Sequence, residues 1–113
     1  MAKEKLDNYE VNEVEAQASS TVSIKPGTRV VNGGKMLFSS GKAKISAKNR
    51  SANAVLGVHI METAYLDEPI KEWFLQPGES ISYSSLGVQK DYLYLRLSSY
   101  SQNATGTGTL STV

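Results

Sequence analysis

The stretch Asn53–Ser84, NAVLGVHIMETAYLDEPIKEWFLQPGESISYS, contains the densest apolar run of the sequence, its only tryptophan and its only histidine. Within it, Val55–Tyr65 is almost continuously apolar and rich in β-branched residues. This composition favours a buried strand over a helix, because branched side chains fit the pleated surface of a sheet. The stretch therefore predicts a fold built from strands.

Two turns divide the remainder of this stretch. Leu66–Pro69 has the composition of a turn, and Ile70–Leu75 follows it as a second strand. Gln76–Glu79 contains Pro-Gly, which is typical of a turn whose third residue has a positive φ. Apolar residues and serines then alternate through Ser80–Ser84, which indicates a third strand. We expect the three strands to pair in chain order as a β-meander.

Short runs of strand type fill the rest of the chain. Gly41–Asn49 and Asp91–Ser99 alternate apolar and polar residues, as half-buried strands do. Asn32-Gly33 is typical of a two-residue hairpin turn and predicts that the strands on its two sides pair with each other. Ala104–Val113 has glycines on one face, which would let another backbone approach closely. We expect this last strand at a sheet edge or against another surface.

The number and spacing of these strands predict the fold class. No segment has a convincing helical period, and eight or nine strands recur at spacings of about 8–12 residues. This pattern is typical of an antiparallel sandwich, a jelly roll or a small barrel. We predict an all-β, antiparallel β-sandwich of jelly-roll type over residues 21–113, preceded by a flexible acidic arm, or connector, over residues 1–20.

The arm differs from the rest of the chain in charge. Residues 1–20 carry two lysines and five acids, a net −3, whereas residues 21–113 carry ten basic and six acidic residues, a net +4. With few apolar residues to bury, the arm is expected to become ordered only on a partner; a solvated tail without a role is the alternative. The side chains expected to make the contacts are Leu6, Tyr9, Val11 and Val14.

Several classes of protein are excluded by what the sequence lacks. It contains no cysteine, which excludes disulfides, thiolate metal ligands and cysteine nucleophiles. No apolar segment approaches the roughly 20 residues that cross a bilayer, and the first residues lack the apolar core of a secretory signal. We therefore expect no membrane partner.

The sequence offers little that suggests catalysis. His59 is the only imidazole, so a metal site would have to be completed by carboxylates alone, and we interpret His59 as a structural or surface histidine. Acids near the Leu66–Pro69 turn lack the spacing of a calcium loop, and we expect them to be solvated. We predict no enzyme activity, no metal and no cofactor. The acids concerned are Glu62, Asp67, Glu68 and Glu72.

A group of basic residues lies between positions 42 and 50, just before the central stretch Asn53–Ser84. No acid interrupts it, so it could bind phosphates or an anionic glycan. Nucleic acid is not expected, because single-strand binding adds stacking aromatics on the same face. Lysines on an edge strand that discourage unwanted pairing are the alternative. We name Lys42, Lys44, Lys48 and Arg50 the basic row.

Aromatic side chains are the other candidates for a ligand surface. Trp73 and Phe74 are adjacent in a strand, so they point to opposite faces and at least one is expected to be exposed. The leucines of Asp91–Ser99 are expected to face inward, which turns Tyr92 and Tyr94 outward. Trp73 and the tyrosines could form a sugar-stacking platform, with a core tryptophan as the commoner arrangement. The tyrosines concerned are Tyr65, Tyr83, Tyr92, Tyr94 and Tyr100. Trp73, Tyr92 and Tyr94 are the candidates for exposed aromatic residues.

From about Leu37 onward the sequence resembles the small jelly-roll subunits of bacterial endospore appendages. The shared features are a Ser40-Gly41 step before an alternating strand, a long central meander, a Pro-Gly turn before Ser80–Ser84, and a Gly/Thr-rich last strand. The resemblance implies that residues 1–20 are a connector that hooks into a neighbouring subunit. The connector cysteines of such fibres are absent, so covalent cross-linking is not implied.

Two functions are consistent with these features. We expect a non-enzymatic structural subunit that self-assembles through the arm and sheet edges into a homo-oligomer or filament. Its expected location is a cell or spore surface if the resemblance holds, and the cytoplasm otherwise. The oppositely charged arm and a last strand with accessible backbone groups favour this function. The alternative is a soluble module that binds an anionic or glycan ligand through the basic row or the tyrosine face.

Overall fold

The computed structural model describes residues 18–63 and 67–113. These residues form nine strands, which confirms the all-β prediction. In this part of the chain there is no helix with the length and apolar character to cross a membrane. The strands are β1 (Ser19–Ile24), β2 (Val30–Asn32), β3 (Met36–Leu37), β4 (Lys42–Asn49), β5 (Leu56–Glu62), β6 (Pro69–Leu75), β7 (Ser80–Gly87), β8 (Tyr92–Ser98) and β9 (Gly106–Thr112).

The strands form two antiparallel sheets that face each other. One sheet, which we call the β4 sheet, has the order β1-β9-β4-β7. The other, the β5 sheet, has the order β2-β8-β5-β6, with β3 also paired to β8. If β2 and β3 are counted as one interrupted strand, this is the strand order of an eight-stranded jelly roll. The predicted fold class is confirmed.

The expected β-meander is wrong at its third strand. β5 and β6 pair as predicted, but β7 lies in the other sheet beside β4. The intervening turn has the expected geometry, with Gly78 at φ 84°. It carries the chain from one sheet to the other, across the side of the sandwich between the edge strands β6 and β7, which we call the open side. There Trp73 stacks on Tyr83, with ring centroids 5.8 Å apart. A tight turn can join strands within one sheet or between two, so the local pattern could not distinguish them.

The expected hairpin at Asn32-Gly33 is also wrong. β2 and β3 both pair with β8 and not with each other, and neither Gly33 nor Gly34 is among the residues with positive φ. A Cβ at Gly33 would lie 2.5 Å from Ser20 Oγ and 3.2 Å from Val22 Cγ1. The glycine is therefore needed because β1 passes close to it, and not because the chain reverses.

The last strand, β9, is an interior strand and not an edge. β1 and β4 flank it on both sides, so its backbone groups are engaged in the sheet. Its glycines face the core: a Cβ at Gly106 would lie 2.6 Å from Leu56 Cδ2, and one at Gly108 would lie 3.1 Å from Leu95 Cδ2. The edges of the two sheets are instead β1 and β7, and β2 and β6.

The core lies between the two sheets and follows the predicted alternation. Every second residue of β4, from Ala43 to Asn49, is buried, and Leu93, Leu95 and Leu97 of β8 are fully buried. Burial of each such leucine contributes roughly 1.5–3 kcal/mol. β5 differs because all seven of its residues are buried, including those that point away from the core. The outer face of the β5 sheet must therefore be covered by other side chains.

The strands run lengthwise, so the loops gather at two ends of the sandwich. The end where β1 begins, which we call the arm end, also carries the loops 38–41 and 88–91. The opposite end, the far end, carries the loops 25–29, 50–55, 76–79 and 99–105.

The boundary of the sandwich lies two residues earlier than expected. Ser19 and Ser20, which we assigned to the arm, belong to β1 and pair with Ser111 and Leu110. The expected contact residues of the arm lie outside the described residues, as does Tyr65 in the predicted central strand. Those arm residues are Leu6, Tyr9, Val11 and Val14.

Candidate functional site

The outer face of the β5 sheet contains a groove of about 290 Å³. Its floor is formed by outward-pointing residues of β5 and β8, and its rim by β2, β6 and the loops after β1, β5 and β8. Side chains with a charged, imidazole or hydroxyl group outnumber the apolar ones in the lining, unlike in the core beneath. They include Arg29, His59, Asp67, Glu72, Arg96, Ser98 and Tyr100.

Strand pairing brings His59, Glu72 and Ser98 together, with Arg96 beside them. His59 in β5 lies directly opposite Glu72 in β6 and Arg96 in β8. Ser98 is two residues beyond Arg96 on the same face, and therefore lies diagonally across from His59, within reach of its ring. The three polar groups come from three different strands, and only the sheet order places them side by side.

Short hydrogen bonds connect the three groups. His59 Nδ1 lies 2.7 Å from Glu72 Oε2, and His59 Nε2 lies 2.7 Å from Ser98 Oγ. With a neutral imidazole, Nδ1–H donates to the carboxylate and Nε2 accepts the hydroxyl proton of Ser98. His59 is only 8% exposed, and Phe74 packs edge-on against its ring at 5.9 Å. The histidine is thus fixed in one orientation with both nitrogens engaged.

Gly57 makes room for this arrangement. It lies opposite Ser98 on the same face of the sheet. A Cβ at Gly57 would collide with Ser98 Oγ and would lie 2.8 Å from His59 Nε2. Any other residue at position 57 would therefore displace the hydrogen bond between the serine and the histidine.

A second polar cluster borders the groove. Arg96 Nε donates to Asn32 Oδ1 at 2.8 Å, and Arg96 Nη2 donates to the Tyr94 hydroxyl at 3.3 Å. The Tyr94 hydroxyl donates to Asp67 Oδ1 at 3.4 Å. Burial raises the pKa of the Tyr94 phenol; Asp67 adds to the increase and the Arg96 guanidinium opposes it. Tyr94 is therefore a neutral hydrogen-bond donor at physiological pH.

The three aromatic candidates do not share a surface. Tyr94 points outward as expected but is only 5% exposed, so its prediction as an exposed aromatic is wrong: Asp67 and Arg96 contact it on the outer face. Trp73 faces inward at the open side and is half-buried. Tyr92 is exposed at the arm end. The structure does not bring them together as a stacking platform.

The basic row runs along the outer face of the β4 sheet. Because β4 is flanked by β9 and β7, its lysines do not protect an edge. Lys48 and Arg50 line a hollow of about 260 Å³, while Lys42 lies at the opposite end of the strand. Hydroxyl groups surround this hollow, from Ser46, Ser80, Thr107 and Thr109.

Exposed apolar side chains gather at the far end. Val55, Phe74 and Tyr100, which we call the far-end patch, line a hollow of about 520 Å³. Tyr100 is 85% exposed and Phe74 is 52% exposed. Phe74 also fulfils the expectation that one ring of the Trp-Phe pair is exposed. Among residues 18–63 and 67–113, no three acidic or imidazole side chains are grouped so that they could hold a metal ion.

Sequence reasoning placed His59 correctly in a buried strand but missed Glu72 and Ser98 as its partners. Glu72 is 13 positions from His59 in the chain, and Ser98 is 39 positions from it. No local spacing connects such residues. The only sequence signal was Gly57, a glycine inside an apolar strand, which indicates a close approach by another group.

No protein-family model and no curated protein matches the sequence. Among solved structures, the chain is similar to a subunit of Bacillus endospore appendages, described as a family of disulfide-linked pili. The identity is 9%, the coverage is 86% of each chain, and the TM-score is 0.50. This likeness confirms, for the fold alone, the resemblance that the sequence indicates.

Two other solved structures are similar to the chain at a lower TM-score. The mitogen derived from Yersinia pseudotuberculosis is 13% identical, with 86% of this chain and 85% of that chain covered and a TM-score of 0.42. A de novo designed double-stranded β-helix is 16% identical, with 84% and 96% covered and a TM-score of 0.42.

Proposed function

We propose that this chain is a structural subunit that assembles head to tail, with residues 1–17 of one copy packed against the far end of the next. The assembly involves no chemical step, and a cell or spore surface would be its natural location. One observation carries the proposal: β1 begins at the arm end, whereas the far-end patch lies at the opposite end of the sandwich.

This separation determines the symmetry of the contact. A segment that leaves one end of a subunit and binds the other end of its neighbour makes a heterologous contact. Such a contact leaves a free arm at one end of the chain of subunits and a free far-end patch at the other. Repetition therefore generates a filament unless the rotation between subunits closes a ring.

Charge and apolar character match between the two partners. The loops of the far end carry Lys25, Arg29 and Arg50 against one acid, Glu79. All seven charged residues of the arm lie within residues 3–15, so its net −3 also holds for residues 1–17. The arm would place apolar side chains on the far-end patch and acids near these cations. The side chains proposed for the apolar contacts are Leu6, Tyr9, Val11 and Val14.

The arm is long enough for this contact. Seventeen residues of extended chain span at most about 56 Å, at roughly 3.3 Å per residue. By comparison, the longest strands, β4 and β7, have eight residues each and extend about 26 Å, so the fully extended arm is about twice as long as a strand of the sandwich. The arm could also add to the open edge at β2, which begins at the far end and has two exposed residues out of three, and gain backbone hydrogen bonds there.

Deletion of residues 1–17 is expected to abolish assembly. The full chain should elute above monomer size at high concentration and form filaments in negative stain, and the deleted chain should elute as a monomer. Replacing the four apolar arm residues by serine keeps the length and the charge of the arm, and should have the same effect. Tyr100→Ser should weaken assembly from the receiving side.

Tyr83→Ser provides the matched control, because Tyr83 is an exposed aromatic on the side of the sandwich, away from both ends. It should assemble like the wild type, with thermal melting used to confirm that each variant is folded. Equal monomeric elution of the full and deleted chains would refute the proposal. Equal assembly of the two would show that the arm is not the connector.

The hollow beside Lys48 favours a second function, binding of a sulfated or phosphorylated glycan. Two cations and several hydroxyl donors converge there. We expect salt-sensitive retention on a heparin column that Lys48→Gln reduces at least twofold in the eluting salt concentration. Lys42→Gln removes the same charge elsewhere on the strand and should have less effect. Equal effects of the two variants would indicate nonspecific charge attraction.

A further inference from the structure

We infer that Ser98, His59 and Glu72 form a nucleophilic site at which Ser98 reacts with small carboxylic esters. This activity goes beyond the assembly role and departs from the sequence-based expectation of no enzyme activity. It would operate in the groove on the outer face of the β5 sheet, which shares Arg29 and Tyr100 with the far end that is proposed to receive the arm.

The hydrogen-bond geometry supports a distinct role for each group. The Glu72 carboxylate 2.7 Å from Nδ1 holds the proton of His59 on that nitrogen. Nε2 is thereby left as the base, 2.7 Å from Ser98 Oγ. A hydroxyl, an imidazole and a carboxylate in this order are the arrangement that activates a serine in unrelated folds.

The surroundings of the site favour reaction over a purely structural network. Ser98 is half-buried and lines the groove, and Glu72 retains 41% side-chain exposure, so the network lies at a surface that a ligand can reach. The groove volume of about 290 Å³ is at the lower limit of usual ligand sites. A short acyl group would therefore fit better than a long chain.

Two arginines indicate the chemical class of the substrate. Arg96 uses Nε and Nη2 to donate to Asn32 and Tyr94, and a guanidinium has further N–H groups that could bind a developing oxyanion. Arg29 adds a second guanidinium to the lining of the groove. We therefore assign esters whose acyl part carries a carboxylate or another acceptor as the preferred substrates.

The reaction balances without a cofactor. Ser98 Oγ bonds to the acyl carbon while its proton passes to His59 Nε2, and the carbonyl electrons move to oxygen. The carbon–oxygen bond to the alcohol then breaks, and His59 returns the proton to the departing alkoxide. Water attacks the acyl-serine with His59 taking its proton, and Ser98 leaves with that proton as the carboxylic acid is released.

A fluorophosphonate probe tests the nucleophile on the full-length protein. Attack by Ser98 forms an oxygen–phosphorus bond and expels fluoride, which leaves a stable adduct that intact-mass analysis and peptide mapping detect. We expect one adduct, on Ser98, that is lost in Ser98→Ala and forms at least about 100-fold more slowly in His59→Gln. Hydrolysis of an activated small ester should decline in parallel.

Gly57→Ala provides a variant that leaves all three polar residues in place. Its methyl group would displace the serine from the histidine, so labelling should decline as it does in His59→Gln, while circular dichroism confirms the fold. A folded wild-type protein without an adduct on Ser98, or with equal labelling in His59→Gln, would refute the inference. Labelling that persists after deletion of residues 1–17 would show that the site acts independently of assembly.

Discussion

Replacing Asn49 by leucine should lower the free energy of unfolding by about 3–5 kcal/mol, although the two side chains have similar volumes. Asn49 is fully buried at the end of β4, where the chain enters the loop to β5. A globular domain of this size has a total stability of only about 5–15 kcal/mol. The variant should therefore be close to unfolding at physiological temperature.

The expected loss comes from three hydrogen bonds that leucine cannot make. Asn49 Nδ2 donates to Ala54 O at 2.7 Å and to Leu75 O at 2.9 Å. Asn49 Oδ1 accepts from Ser51 N at 2.9 Å. These bonds connect the loop after β4 to the end of β6, and thus join the two sheets at the far end. Each partner left unsatisfied in a buried place costs about 1–3 kcal/mol.

Urea denaturation followed by circular dichroism measures this effect, with Asn103→Leu as the matched control. Asn103 also lies in a far-end loop, but its side chain is exposed, and its replacement should change the free energy of unfolding by no more than about 0.5 kcal/mol. Equal losses in the two variants would contradict the role assigned to Asn49.

Truncation of Phe38 to alanine is expected to cost a similar amount, about 3–5 kcal/mol. Phe38 is fully buried and directly follows β3 at the arm end. Its backbone N–H donates to Asp91 O at 3.0 Å, so the residue is fixed between two loops and its surroundings cannot easily collapse into the cavity. The lost contacts and the cavity both lower the free energy of unfolding.

Leu37, the residue next to Phe38, provides the matched control. Leu37 is 49% exposed on the opposite face, and Leu37→Ala should change the midpoint of urea denaturation only slightly. Thermal melting of Phe38→Ala should show a decrease of roughly 10 °C or more. If Phe38→Ala and Leu37→Ala both had the melting temperature of the wild type, Phe38 would not be a core residue.

The inward alternation of β4 and β8 could be predicted from the sequence, because a strand exposes alternate residues to opposite faces whatever its neighbours are. The positive φ of Gly78 was also predictable from local sequence, because a Pro-Gly turn requires a positive φ at the glycine. The placement of β9 was not predictable. Its glycines allow a close approach, but nothing local indicates whether an edge, a ligand or the core of the same chain approaches.

In the candidate sites, too, some features follow from the sequence and others only from the fold. The charge of the basic row and of the arm is a property of the sequence, but only the β4–β9 and β4–β7 pairing places hydroxyls around Lys48. Ser98, His59 and Glu72 come together because β8, β5 and β6 are neighbours in one sheet. No pattern within a single strand carries that information.

By itself, therefore, the sequence determined that the chain forms strands, which faces of β4 and β8 are apolar, and that an acidic segment precedes a basic domain. The tertiary structure decided which strands are edges, which loops share an end with the start of β1, and which polar groups meet in the groove. The physical reason is that side-chain alternation and turn geometry are local. Strand order depends instead on contacts between residues that are distant in the chain, and those contacts form only when the two sheets close around their common core.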